Sequence, residues 1–219
     1  MVMGLLLKLF FTGQIKIKEG TLSLSDIYLN VLPASVLATL NEYFLLKNEL
    51  WKFYAMMWLN GFIVVKKIDE LYNLKKSDEI YSFGMDFGEA IGLGLYKTHE
   101  YFPSRYTYFK IMPNPYHNYY FTKHHEPIDY FVAGVMGGGG CETHKSVCQC
   151  LELKCINQGY KYCEFLTATE EELKRRNLWK IAEKRYNLDK IYPIQKKIYY
   201  KFDKLGIKGS LELLLRSLK

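Results

Sequence analysis

The sequence predicts an α+β fold, because segments with strand-like alternation lie on both sides of a block with helical periodicity. The segments around Lys16 and Tyr108 alternate apolar and polar residues with a period of two, which is typical of strands. Residues 33–73 carry apolar side chains at helical spacing. A length of 219 residues is enough for one domain of ordinary size and an extension.

The elements follow in chain order from these periods. They are a hairpin at 13–25, two helices within 33–73, a third helix at 76–97, a strand at 105–111, a short helix after Pro127 that the four glycines at 137–140 end, a strand from Ser146, its hairpin partner at 160–168, and C-terminal helices interrupted at Pro193 and Gly206. Thr169 and Glu172 have the spacing of a capping box, which predicts the start of these last helices.

Glycines in the third predicted helix lie on one face. Gly84, Gly88 and Gly92 follow each other at intervals of four residues. Glycine costs a soluble helix roughly 1 kcal/mol per residue. The pattern therefore predicts that another element or a ligand approaches the backbone there, the alternative being ordinary clustering of glycine at a helix end.

The composition is that of a folded protein in a reducing compartment. Apolar residues make up 49% of the chain and aromatic residues 16%, which disfavours disorder. The N-terminal apolar stretch contains Lys8 and lacks a cleavage site, and the apolar run at 53–65 is too short to span a bilayer. The five cysteines crowd into positions 141–163, unlike a secreted disulfide scaffold. The sequence thus predicts a soluble, cytoplasmic protein.

Positive charge is concentrated at the C-terminus. Residues 174–219 contain 14 Lys and Arg against 4 Asp and Glu, whereas the preceding 173 residues contain 16 against 19. Such a segment suits a nucleic acid or an acidic protein partner. The alternative is a solvated helical face, which is what most charge runs are.

The cysteine-rich hairpin is the strongest chemical signal. Alternation places Cys148, Cys150 and Glu152 on one face, and Cys155 joins them if a bulge or the strand end re-aims it. Cys163 lies across the hairpin, so Glu152, Cys155 and Cys163 can converge.

Two thiolates and a carboxylate suit zinc, and the fourth ligand has to come from elsewhere. The candidates are Asp129, Cys148, Cys150 and His144. Absence of a Cys-x-x-Cys pair disfavours a zinc ribbon or a thioredoxin-type motif. Core packing of cysteine and redox sensing remain as alternatives.

Four segments resemble a known family, the 4-vinyl reductase domain. They are GEAIGLGLYK, MPNP, PIDYFVAGVMGGGG and ELKCINQGYKYCEF, within 40–168 of the chain. The last segment has the family's Glu-x-x-Cys, central Gly and second Cys. The resemblance implies an antiparallel sheet and helices around an apolar pocket, related to the sensor domains of aromatic-responsive transcription activators.

The same resemblance implies a zinc site in the hairpin. Carried over, the ligands are Glu152, Cys155 and Cys163, with Asp129 at the place of the family's first cysteine. Aspartate can ligate zinc. Cys148 or Cys150 can substitute if Asp129 does not.

We expect the chain to bind a small apolar or aromatic molecule in an enclosed pocket, next to a structural zinc. The predicted ligand-contacting residues are Trp58, Phe62, Gly88, Tyr106 and Tyr108. Ordinary core packing is the alternative for each aromatic residue. Residues 1–168 are expected to form the binding domain, with its core at about 40–168, and residues 169–219 a basic helical extension.

Other functions stay open from the sequence. One is a redox- or ligand-responsive regulator that acts through its basic tail, as in methanogen regulators that resemble this chain. Another is a reductase or accessory protein of tetrapyrrole metabolism. The chain lacks a dinucleotide-binding fingerprint, which favours a binding module over an enzyme. Fold relatives also suggest a homodimer. The polar loop of His117, His124, His125 and Glu126 receives no role.

Overall fold

The computed structural model of the chain describes residues 12–13, 15–18, 21–24, 27–29, 33–74, 76–90, 92–120 and 126–219. The apolar N-terminal stretch around Lys8 lies outside the described residues. So do His124 and His125 of the predicted polar loop.

The helices of the described residues occur in two groups, one between the strands and one after them. They are α1 (Ala34–Leu46), α2 (Leu50–Tyr72), α3 (Ser77–Ala90), α4 (Tyr130–His144), α5 (Glu170–Arg175), α6 (Trp179–Tyr186) and α7 (Leu188–Ser217). Short 3-10 helices span Pro115–Tyr119 and Ile156–Gln158. Thr169 caps α5 by accepting a hydrogen bond from the Glu172 amide at 3.3 Å, which confirms the predicted capping interaction.

The strands form two antiparallel sheets. A small sheet pairs β1 (Ile15–Lys18), β2 (Thr21–Leu24) and β3 (Ile27–Leu29) in that order. The main sheet has the order β4-β5-β7-β6, from β4 (Tyr96–Phe102), β5 (Tyr106–Ile111), β6 (Cys148–Lys154) and β7 (Cys163–Thr169). The α+β fold with an antiparallel sheet that the sequence predicts is therefore confirmed.

The third helix is shorter than predicted. It ends at Ala90, because Gly92 and Gly94 adopt left-handed backbone angles with φ of 85° and 114°. The chain then enters β4, which the sequence analysis missed. This strand lies at the edge of the sheet and is mostly exposed, so it has no apolar alternation to reveal it.

The predicted end of a helix at the four glycines is wrong. Helix α4 continues through them to His144, because glycine lets its backbone approach that of α2. A Cβ added at Gly138 would lie 1.8 Å from the Trp58 carbonyl oxygen, and one at Gly61 would lie 2.1 Å from that of Val135. Close packing of the two helices thus offsets the low helix propensity of glycine.

The C-terminal helices pack on the rest of the molecule. The Tyr186 ring stacks on that of Tyr54, with centroids 3.7 Å apart. The Gln149 amide donates a hydrogen bond to the Gln195 side chain at 2.9 Å. The predicted interruption at Pro193 is wrong, since α7 runs through it. The backbone departs from helical geometry at Gly206 (φ 62°, ψ −174°), where an interruption was also predicted.

The helices of the described residues include none with the length and apolarity that a membrane span requires. Helix α2 is long enough, at 23 residues, but it carries charged side chains at both ends.

Candidate metal centre and ligand site

Four side chains with metal-ligating atoms meet at one end of the main sheet. They are His117, Glu152, Cys155 and Cys163, and their ligand atoms all lie within 4.8 Å of one another. The two cysteines and the glutamate are buried, and the histidine is half-buried. The structure therefore brings together the three hairpin residues that the sequence analysis selected, and adds a histidine to them.

The hairpin geometry explains how Cys155 reaches the cluster. The pairing of β6 with β7 shifts register between Glu152 and Lys154, so the strand bulges next to the glutamate. Cys155 follows directly after the strand, before the 3-10 turn that Gly159 closes with a φ of 93°. The bulge or strand end that the sequence analysis required is thus present.

His117 comes from the 3-10 helix Pro115–Tyr119. The side chain of Asn114 accepts a hydrogen bond from the Tyr116 amide at 3.1 Å, which fixes the start of this turn. The Nε2 atom of His117 lies 3.1 Å from the Cys163 Sγ and 3.8 Å from the Cys155 Sγ. The sequence analysis missed this residue, because nothing in its local pattern separates it from its neighbours in a polar loop.

Asp129 lies beside the cluster and makes contacts of its own. Its carboxylate caps α4 by accepting a hydrogen bond from the backbone N–H of Val132 at 3.2 Å. It accepts another from the side-chain amide of Asn114 at 2.5 Å. Its backbone N–H donates to the Glu152 carboxylate at 2.9 Å. The residue predicted as fourth ligand therefore orients Glu152 and the segment before His117.

The other three candidates for the fourth ligand point elsewhere. The His144 Nε2 lies 3.0 Å from the Thr107 hydroxyl. The Cys148 amide donates a hydrogen bond to the Cys141 sulfur at 3.3 Å. Cys150 is paired with Thr167 in the sheet. None of these three belongs to the cluster of four found among the described residues.

The cluster gathers two thiols and a carboxyl group in a buried place. Burial, and then the neighbouring Cys155, raise the pKa of Glu152 well above its usual range. The Oε1 atom of this carboxyl group is buried and has no hydrogen-bond partner among the described residues. A hydrogen bond with Cys163 lowers the pKa of Cys155 to about 4. This donor set suits a cation more than an empty, dry interior.

The predicted ligand-contacting residues do not converge on one space. Trp58 and Phe62 are buried on α2, where the Trp58 indole donates a hydrogen bond to the Cys148 carbonyl at 2.9 Å. Tyr106 and Tyr108 project from one face of β5. Thr107 projects from the other face, where its hydroxyl contacts His144 of α4. The hydroxyls of Tyr106 and Tyr108 donate hydrogen bonds to Glu100 and Glu164 at 2.9 and 2.7 Å.

Gly88 is buried and packs against Tyr96. A Cβ at this position would meet the Tyr96 ring at 3.3 Å. Tyr96 is also one of the residues that line a surface pocket of about 140 Å³. The pocket is lined by Leu95, Tyr96, Lys97, Lys110, Met112 and Tyr162.

Comparison with known proteins gives a match of fold. No family model and no curated protein matches the sequence. Among solved structures, the chain is similar to the phenol-responsive sensory domain of the transcription activator PoxR with phenol. The TM-score is 0.62 and the identity 14%, over 77% of this chain and 92% of that one. The chain therefore shares the fold of that structure, and the resemblance to the 4-vinyl reductase domain stays a prediction.

Proposed function

We propose that the chain is a sensory domain that binds a small aromatic or apolar molecule. The observation that carries this proposal is the fold similarity to the PoxR sensory domain, which extends over 92% of that domain. Folds can host unrelated functions, so the proposal also needs a site of suitable size and chemistry.

The ligand is expected beside β4 and β5, at the end of the main sheet where Met112 and Tyr162 lie. The pocket there has a volume of about 140 Å³. An apolar cavity of about 150 Å³ accommodates a benzene ring. The pocket of this protein is lined by apolar and aromatic residues together with Lys97 and Lys110. Such a lining is typical of sites where a few polar groups orient a mainly apolar ligand. A Cβ at Gly88 would meet the ring of Tyr96, one of the lining residues.

Ligand binding can be tested by calorimetric titration with phenol and substituted phenols. A Gly88→Leu variant should weaken binding at least tenfold, because the new side chain collides with the Tyr96 ring and displaces this lining residue. Gly84→Leu is the matched control on the same helix, where an added Cβ has nothing within 4 Å. Equal affinities of the two variants, or no binding by the wild-type protein, would count against this site.

We further propose that the hairpin holds a structural zinc through His117, Glu152, Cys155 and Cys163. Sulfur, nitrogen and carboxylate ligands are those that zinc accepts, and four protein ligands close a tetrahedral site. The buried Glu152 oxygen without a partner fits such a cation. The metal would join the 3-10 helix before α4 to the β6–β7 hairpin, and so contribute to folding. Asp129, predicted as a ligand, takes the role of orienting Glu152.

Zinc content, measured by elemental analysis and native mass spectrometry of freshly purified protein, tests this site. The wild-type chain should carry one equivalent, and His117→Ala should lose most of it. His99→Ala is the control, because His99 is exposed and outside the cluster. Asp129→Asn should retain zinc, whereas loss of zinc in that variant alone would restore Asp129 as the ligand. The same spectra report co-purified ligand and the predicted homodimer.

A further inference from the structure

Helix α7 separates an apolar face from a basic one. Its buried side packs on the rest of the molecule through Leu188, Ile191, Tyr192, Gln195, Ile198 and Phe202. Five lysines of α7 are exposed before the Gly206 kink, and one of them, Lys196, lies over the Tyr192 ring at 4.6 Å. The other four are Lys190, Lys197, Lys201 and Lys204. We call these four residues the lysine stripe.

The lysine stripe runs along one side of α7. Its members follow each other at intervals of seven, four and three residues, so they lie on one side of a helix with 3.6 residues per turn. At 1.5 Å per residue the stripe is about 21 Å long. Lys208, beyond the kink, is exposed as well.

The positive charge of the stripe is not neutralised within the described residues. Among the described residues, the ion pair on α7 joins Arg216 to Glu212, near the C-terminal end of the helix. Asp189 and Asp203 lie about 90° or more around the helix from the stripe. Lysines three and four residues apart repel each other by a few tenths of a kcal/mol. The helix therefore keeps an unfavourable arrangement that a polyanion would relieve.

We infer that the lysine stripe docks on the phosphate backbone of a double-stranded nucleic acid, without regard to base sequence. A row of positive charges along one side of a helix is complementary to the regular array of phosphates on a duplex. Tyr200 is 72% exposed beside the row, and its hydroxyl can donate to a phosphate oxygen. An acidic membrane is a poorer fit, because the apolar face that would insert is buried against the protein. This inference is independent of the proposed ligand and zinc.

Fluorescence anisotropy with a labelled duplex of about 20 base pairs tests the inference on the full chain. Each phosphate contact contributes about −0.9 to the slope of log affinity against log salt. Four contacts predict a slope of about −4, so affinity should fall on the order of 100-fold between about 50 and 200 mM salt. The triple variant Lys197→Gln, Lys201→Gln, Lys204→Gln should reduce the slope to about −1.

The matched control has the same net charge. It carries Lys47→Gln, Lys76→Gln and Lys161→Gln, at exposed positions outside α7. It should keep the wild-type slope, and circular dichroism should show both variants folded. Equal losses in the two variants would overturn the inference, because net charge alone would then explain binding. Absence of duplex binding at low salt, or binding to phosphatidylserine vesicles alone, would overturn it as well.

Discussion

The two halves of the cysteine-rich stretch are equally buried and yet differ in chemistry. Cys141, Cys148 and Cys150 have 0% exposure, as do Cys155 and Cys163. The first three pack between α4 and the sheet, where burial raises the pKa of Cys148 and Cys150. The last two lie beside His117 and Glu152.

Burial of a thiol is therefore a poor guide to its role in this protein. What separates the two halves is the presence of other ligand atoms within reach. A redox role for the first three cysteines requires accessible thiolates, and in this structure all three are enclosed. The redox interpretation stays a prediction, and it requires a route by which an oxidant reaches these thiols.

The largest expected effect comes from removing a cluster thiol. Cys163→Ser should abolish zinc binding, whereas Cys141→Ser should keep it, since a serine hydroxyl can replace the hydrogen bonds of the Cys141 sulfur. At free zinc of about 1,000 times Kd, lost binding lowers the free energy of unfolding by about 4 kcal/mol. Chemical unfolding with and without zinc measures this. Equal zinc loss in both variants would remove the distinction between the halves.

A somewhat smaller effect is expected from a substitution in the glycine run of α4, which packs against α2. Gly138→Ala should lower the free energy of unfolding by about 3 kcal/mol, because α2 and α4 must separate to admit the methyl group. Gly84→Ala is the control, and should be neutral or stabilising by up to about 1 kcal/mol. Urea unfolding of both variants gives the comparison. A neutral Gly138→Ala would show that the interface adjusts freely.

The smallest effect concerns pH and His144, at the end of α4. Burial lowers the pKa of His144 to about 4. Between about pH 6.5 and 4 the unfolded chain therefore binds a proton that the folded chain does not, so stability falls as pH falls. From pH 7 to 5 the loss is about 2 kcal/mol.

A His144→Gln variant should lose less stability over this range than the wild-type protein. His99→Gln, at an exposed position, should follow the wild-type pH profile. Thermal unfolding at several pH values measures the difference. Identical profiles for all three proteins would mean that another group dominates acid destabilisation.

Much of the fold could be predicted from local patterns, and the misses have a common physical cause. Periodicity located the helices before Asn73, the strand β5 and the β6–β7 hairpin, since each buries one face in a regular repeat. Strand β4 was not predicted, because an edge strand with exposed side chains carries no such repeat. The glycines of α4 were misjudged because the close contacts that favour them, such as those of Gly138 with Trp58 and Phe62, belong to a helix far away in the sequence.

The candidate metal centre divides in the same way. Glu152, Cys155 and Cys163 come from one hairpin, so strand alternation and a bulge were enough to predict that they converge. His117 lies on a separate 3-10 helix, and no local rule connects it to the hairpin. The predicted ligand-contacting residues come from distant elements, and the structure places two of them, Trp58 and Phe62, in the packed core.

By itself the sequence determined the α+β class, the hairpin with its three ligand-type side chains, and the basic character of the C-terminus. These depend on alternation, spacing and composition, which are properties of neighbouring residues. Only the tertiary structure decided that His117 completes the cluster, that four glycines continue a helix, and that the apolar side of α7 is buried while a row of its lysines stays exposed. Each of those depends on contacts or faces that exist only after distant segments have packed.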